Sequence, residues 1–232
     1  MSVDPERKHQ PFEGESGNEE NTSPLIGAAF LREILDLPDD AYEIVSKSGE
    51  VFDVRFIEAE DAEEISAIVQ QNFDEAPSYA NLTAEARQKY KQANTPEGIL
   101  ETSSDARNIA SLVVRDKDGK VVGYRVIRKG VLREPWKGYE RGTPVAEGRR
   151  MHIARGFDGQ GLGTELLRLS ERIATERGYT MMVVNASGDS YHFFMRAGYE
   201  VIAHEENPDL AADGVRANRT YLGRELIKRD VV

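Results

Sequence analysis

The chain contains no cysteine, which excludes a disulfide framework, a thiolate zinc site and a cysteine nucleophile. It also lacks any apolar run approaching the ~18 to 20 residues that cross a bilayer, and any run of Lys and Arg able to grip a polyanion. Acid exceeds base, with 41 Asp and Glu against 30 Lys and Arg, for a net charge of −11. Such a balance repels nucleic acid and anionic membrane surfaces at long range and favours cationic substrates. Met1 to Glu20 is dense in charge and glycine without an apolar centre, so it does not read as a signal peptide, and the expectation is a cytoplasmic protein. With 232 residues, 39% of them hydrophobic, the chain can bury one core and carry an extension besides.

Residues 1–23 have the composition of a disordered acidic tail. From Pro24, Ile26, Phe30, Leu31, Ile34 and Leu35 recur at helical spacing, so 24–50 is expected to be an extension with an amphipathic helix ending before Pro38. Tyr42 to Ile57 reads as two extended runs around Ser48-Gly49. Asp61 with Glu64 looks like a capping box ahead of the stripe Ile65, Ile68, Val69 and Phe73. A helical region over about Thr83 to Leu100 restarts at Thr95-Pro96, because proline suits a first helical turn. Strands at Asn108 to Arg115 and Lys120 to Arg128 are joined by a hairpin ending in Asp118-Gly119. A strand at about Ala146 to Ala154, a helix from Thr164 to Arg177, a strand at Met181 to Asn185, a helix from Asp189 to Ala197 and strands at Glu200 to His204 and Arg219 to Leu226 complete the order. This is a mixed α/β sheet with helices on its faces.

The loop Arg155-Gly156-Phe157-Asp158-Gly159-Gln160-Gly161-Leu162-Gly163-Thr164 leaves a strand and enters a helix, with glycines at 159, 161 and 163. Glycines let backbone approach a phosphate, and the N–H groups and dipole of a first helical turn attract it. The loop has no Lys at the helix entrance, which removes the nucleoside-triphosphate loop. A dinucleotide loop needs a wider glycine spacing and an acid about twenty residues on, where Val183-Val184-Asn185 stands.

Asp158-Gly159-Gln160-Gly161-Leu162-Gly163 resembles the pyrophosphate loop of the GNAT superfamily of acyl-CoA-dependent N-acyltransferases, Arg/Gln-x-x-Gly-x-Gly/Ala. Phe193-Phe194-Met195-Arg196-Ala197-Gly198-Tyr199 is similar to that family's Phe-Tyr-x-x-x-Gly-Phe segment. The resemblance covers some three quarters of the chain. It implies a mostly antiparallel central sheet with helices on both faces, an acyltransferase domain over 51–232, and transfer of an acetyl group from acetyl-CoA to a primary amine of a small molecule or peptide by direct attack in a ternary complex. The coenzyme would lie in a splay between two strands, touching Ile153, whose N–H would polarise the thioester, Arg155, Asp158, Gly159, Gln160, Gly161, Leu162, Gly163, Thr164, Asn185 and Phe194.

Two departures bear on activity. Asp158 replaces the family's Arg or Gln, with Arg155 and Arg168 as compensating charges, and Phe194 stands where a general-acid Tyr is frequent. Tyr191, one turn earlier, is the substitute acid, while Glu147 and His152 are the candidate bases, with His192 behind them. Strand alternation puts Glu147 with Met151 and Ile153 on one face and His152 with Arg150 on the other. The four His residues show no metal-site spacing, so no metal is expected. Trp136, Tyr139 and Glu134, together with Tyr79 and Tyr90, would form an acceptor pocket for a cationic amine. The expected partner is that amine, with no nucleic acid or membrane and a homodimer left open. The competing reading is a GNAT-like module that binds acyl-CoA without turnover.

Overall fold

The computed structural model describes residues 42–80, 82–205 and 219–226. The acidic tail and amphipathic helix expected before Tyr42, and the polar loop expected ahead of the last strand, lie outside the described residues. Eight strands form one sheet in the order β1-β2-β3-β4-β5-β6-β8-β7. They are β1 (Tyr42–Val45), β2 (Val51–Phe56), β3 (Asn108–Arg115), β4 (Val121–Val131), β5 (Pro144–Ile153), β6 (Met181–Ala186), β7 (Glu200–Glu205) and β8 (Arg219–Glu225). Every pairing is antiparallel except β5 with β6. The fold is the mixed, mostly antiparallel α/β architecture that the resemblance implied.

Among the described residues, five α-helices cover the two faces: α1 (Ala62–Glu75), α2 (Ala84–Gln92), α3 (Pro96–Ser103), α4 (Leu162–Glu176) and α5 (Gly188–Arg196). On α4, Leu162, Leu166, Leu169 and Ile173 recur at three and four residue spacing and bury against Leu112, Val114, Ile127 and Met182 of the sheet. On the opposite face, Ile65, Ile68 and Val69 of α1 and Ile99 of α3 pack on Val113, Tyr124 and Val126. A third cluster joins Phe194 and Tyr199 to Leu167, Val184 and Leu222 on the α4 side. Because both its faces are covered, β3 is buried almost throughout.

The helix boundaries follow local chemistry. Thr83 and Thr95 cap α2 and α3 by accepting from Ala86 and Gly98, at 3.1 and 3.3 Å. The cap before α1 sits one turn earlier than the Asp61–Glu64 spacing suggested: the Glu58 N–H donates to Asp61 at 2.7 Å, and Glu64 instead accepts from the Val121 N–H at 3.0 Å. Asp61 is fully buried between Arg55 and Arg115, which fixes it in that role.

Candidate active site

β5 and β6 are paired only over Ala146–Gly148 and Met182–Val184, and beyond that point they part. The gap opens into a cleft of about 1220 Å³ lined by the end of β5, Val184 and Asn185 of β6, Ser187, Ser190 and Phe194 near and on α5, and the α1–α3 segment. Ala154 N–H bonds the Val122 carbonyl at 2.8 Å, so strand alternation turns the Ile153 N–H away from β4 and towards the gap. The Ile153 carbonyl on that side is taken by Asn72 of α1 at 2.9 Å.

A bulge re-aims the last turn of β5. Tyr124 and Val126 of β4 oppose His152 and Arg149, so β5 carries one extra residue between them, and Arg150 has a left-handed φ of 41°. The strict alternation expected from the sequence therefore fails. Glu147 and Arg149 lie on the α1–α3 face, the bulge resets the phase, and Arg150 and His152 lie on that face too. Met151 and Ile153 pack towards α4 instead. Glu147 and His152 thus share a face, where alternation alone would have separated them.

Both oxygens of Glu147 are engaged, by Arg128 at 2.9 Å, Arg133 at 3.1 Å and Arg149 at 3.2 Å. His152 is half-buried beside Tyr124, and burial, followed by the charges of Arg150 and Arg125, pushes its imidazole down to about 4. Arg150 donates to Asn94, which is itself buried in the α2–α3 turn and donates to the Tyr90 carbonyl at 2.7 Å. Tyr79 and Tyr90 line the cleft with Phe73, which stacks on Tyr90 at 4.0 Å between ring centroids. Trp136 and Tyr139 do not line it. They pack against Leu132, Tyr221 and Ile202 on the far side of β5, and Glu134 is exposed outside the cleft, so this part of the expected acceptor pocket is corrected. Tyr191 also lies outside the cleft lining: its ring joins the Phe194 cluster and meets His192 edge-on at 5.2 Å. Phe194 itself is 5% exposed and does line the cleft.

The glycine loop follows Arg155 and Asp158, which line the cleft, while Gly159, Gln160, Gly161, Leu162, Gly163 and Thr164 lie outside its lining. Gly161 adopts a φ of 90° as the residue before α4, a conformation that favours glycine, and no side chain caps the helix. Its first-turn amides, from Leu162 and Gly163 onward, face outward at the positive end of the dipole, while Thr164 N–H turns back to the Gly161 carbonyl at 2.9 Å. Gln160 braces the loop, its Nε2 donating to the Gly156 carbonyl at 3.0 Å. Asp158 is exposed and faces Arg155 at 3.5 Å, Arg155 also meets Glu75 at 2.8 Å, and Arg168 pairs with Glu165 at 2.6 Å. Both expected compensating cations are thus held by acids. Gly159 is exposed at the loop's outer turn.

Several residues of the site went unseen in the sequence. Lys47, in the β1–β2 turn, lays its stem over Gly161 and donates its backbone N–H to the Gln160 carbonyl at 2.7 Å. Arg125 is 1% exposed, with Nε and Nη2 lacking a hydrogen-bond partner among the described residues, and burial brings its guanidinium down to about 10. Its visible signal was one cation inside the apolar run Val121 to Ile127. Asn185 Oδ1, also cleft-lining, is buried without a partner among the described residues.

Three solved structures set this arrangement among known folds. PaiA N-acetyltransferase from Thermoplasma acidophilum, in complex with coenzyme A, aligns at a TM-score of 0.56 with 14% identity over 75% of this chain and 98% of its own. A GCN5-related N-acetyltransferase from Rhodopseudomonas palustris aligns at 0.55 with 18% identity over 81% and 99%, and Ard1 from Thermoplasma volcanium at 0.54 with 16% over 76% and 99%. At these identities the likeness is one of fold. No curated protein matches the chain in sequence. The model of the acetyltransferase (GNAT) family matches residues 68–199, more than half of the chain, and the chain belongs to that family.

Proposed function

We propose that the protein is an N-acetyltransferase that moves an acetyl group from acetyl-CoA to a primary amine of a small molecule or peptide, by direct attack in a ternary complex. The observation that carries this reading is the gap beyond Gly148 and Val184, open to the α1–α3 face and lined by Arg155 and Asp158 of the loop that leads into the uncapped start of α4. In this reading the amides of 159–163, the Thr164 N–H being taken by the Gly161 carbonyl, hold the diphosphate, aided by about 0.3–1 kcal/mol from the helix dipole. Asn185 Oδ1 accepts from a pantetheine amide, and Phe194 forms an apolar floor. The Ile153 N–H polarises the thioester carbonyl as the amine attacks, which is stabilisation of developing charge by a fixed backbone donor.

An alkylammonium with a pKa near ~10 must lose a proton first. Glu147 is committed to three guanidinium groups, and His152, pushed down to about 4 by burial and by Arg150 and Arg125, is too weak a base to take the proton from an ammonium, so the proton leaves through water to solvent. The neutral imidazole on the acceptor side of the gap accepts a hydrogen bond from that water. The departing thiolate has a conjugate pKa of about 8.5 and needs no dedicated acid, which fits a tyrosine-free position at Phe194.

The test is a thermal-shift titration with acetyl-CoA, CoA and NAD side by side. A ligand at a hundredfold excess over Kd stabilises the folded state by about 2.7 kcal/mol. Stabilisation by both CoA forms and not by NAD, followed by amine-dependent release of free thiol, is the expected result. No shift with acetyl-CoA would sink the reading.

A further inference from the structure

The cleft has a charge opposite to that of the molecule. The whole chain carries −11, yet the cleft is lined by eight basic and four acidic side chains. Two of those acids, Asp105 and Asp158, are already paired with Arg107 and Arg155. Glu97 and Glu101 sit on α3, and Glu101 is exposed. In the middle of the cleft, Arg125, Arg150 and Arg219 have no carboxylate partner among the described residues, and Arg149 shares the one carboxylate of Glu147 with two other guanidiniums. Arg219 Nε and Arg125 Nε and Nη2 are buried with no hydrogen-bond partner among the described residues. A buried donor left unmet is costly, so Arg219, on the acceptor side, is placed for an acceptor atom that arrives with a ligand.

The coenzyme does not supply that atom on the acceptor side: its phosphates, in the function proposed above, belong at the α4 loop, and the amide carbonyls of its pantetheine arm lie in the gap, on the side of Arg125. Arg149, Arg150 and Arg219 are instead on the side of β5 and β8 that faces α1–α3, where an amine would enter. The bulge in β5 is what brings Arg149 and Arg150 to that one side, and Asn94 holds Arg150 in place. Guanidinium groups recognise carboxylates by paired N–H donors, which an ammonium cannot satisfy.

We propose that the acceptor is an amine that itself carries a carboxylate, and that Arg149, Arg150 and Arg219 bind that carboxylate so that the amino group faces the thioester. The stacked Phe73 and Tyr90 rings, with Tyr79, form the wall along which the rest of the acceptor lies. This rests on the acetyltransferase reading and replaces the cationic amine suggested by net charge with a zwitterionic one. The step is ordinary N-acylation: the amine nitrogen bonds the acetyl carbon, the C–S bond breaks, the thiolate leaves with CoA, and the amine's proton goes to solvent through water.

The experiment compares matched pairs that differ only in the carboxylate: phenylalanine with phenethylamine, leucine with isoamylamine, lysine with cadaverine. Expected is a kcat/KM at least 100-fold higher for the amino acid of at least one pair, with Arg219→Gln raising its KM at least tenfold while the KM for acetyl-CoA stays within twofold. Equal or better turnover of the decarboxylated amines would overturn the proposal and leave the acetyltransferase reading standing. A binding arm needs no turnover: in the presence of CoA, the N-acetyl amino acids should bind at least tenfold more tightly than the matching N-acetyl amines, by calorimetry. Equal affinity there would overturn the proposal even in a catalytically silent protein, whereas a protein that binds neither CoA nor acetyl-CoA fails at the earlier step.

Discussion

Arg125 and Gly148 are matched across β4 and β5. A Cβ on Gly148 would fall well inside van der Waals contact with Arg125 Nη2 and 3.0 Å from Met182 Cε, so the glycine is the condition for a buried guanidinium at the point where β5 and β6 part. The field of that guanidinium is one reason that His152 titrates so low. In the unfolded chain the imidazole has its ordinary pKa of 6.5, and folding depresses it to about 4. Above 6.5 both states are neutral and the group contributes its full stabilisation. As pH falls, the unfolded chain takes the proton first, so that stability is lost between about 6.5 and 4, with a slope of at most ~1.4 kcal/mol per pH unit. Urea unfolding of the wild type and of His152→Gln at intervals from pH 4 to 7 should show this segment of slope in the first protein and not in the second. Parallel curves would mean that His152 is solvated and its lowered pKa is not a property of the fold.

Among the elements, the loop into α4 and the bulge in β5 show where sequence reading holds and where it stops. Alternating glycines, a helical stripe and Gly178 after the last turn are local signals, so α4 and its loop were legible, and the same holds for β3, bounded by its hairpin. The bulge was not, because one extra residue in β5 is decided by which β4 residues it must oppose, and nothing in Gly148-Arg149-Arg150-Met151 marks the left-handed residue. Lys47 escaped for a similar reason: its closeness to Gly161 arises from β1 docking beside β2 and α4, a contact between parts of the chain more than a hundred residues apart. Asp158, legible from the start as an anomaly, now has a defined setting. Its exposed carboxylate at the cleft's edge holds Arg155 at 3.5 Å. Asp158→Arg removes one negative charge and adds a positive one, while Arg155 keeps its pairing with Glu75. With up to about 1 kcal/mol for each exposed charge, CoA should bind roughly 5- to 30-fold more tightly at 0.1 M salt, measured by calorimetry. Unchanged affinity would place the coenzyme's phosphates away from residue 158.

At the scale of the whole molecule, net charge and site charge make opposite forecasts for the same ligand. Coenzyme A is a polyanion and the chain carries −11, so if the molecule acted as a single charge, encounter would be repulsive and added salt would speed it. The cleft, with its basic side chains outnumbering acidic ones two to one, forecasts attraction that salt weakens. Distance decides between them. At 0.15 M the screening length is about 8 Å, shorter than the distance from the cleft to most of the acidic surface, while a recess with low-dielectric walls concentrates the field of the groups that line it. The near groups therefore govern. Stopped-flow association of acetyl-CoA should slow by about three- to tenfold between 0.05 and 0.5 M NaCl, and Arg155→Gln with Lys47→Gln should flatten that dependence. An association rate that rises with salt would show that the acidic surface, and not the cleft, controls approach, and the arginines on the acceptor side would then be answering one another's acids inside the fold instead of a ligand's.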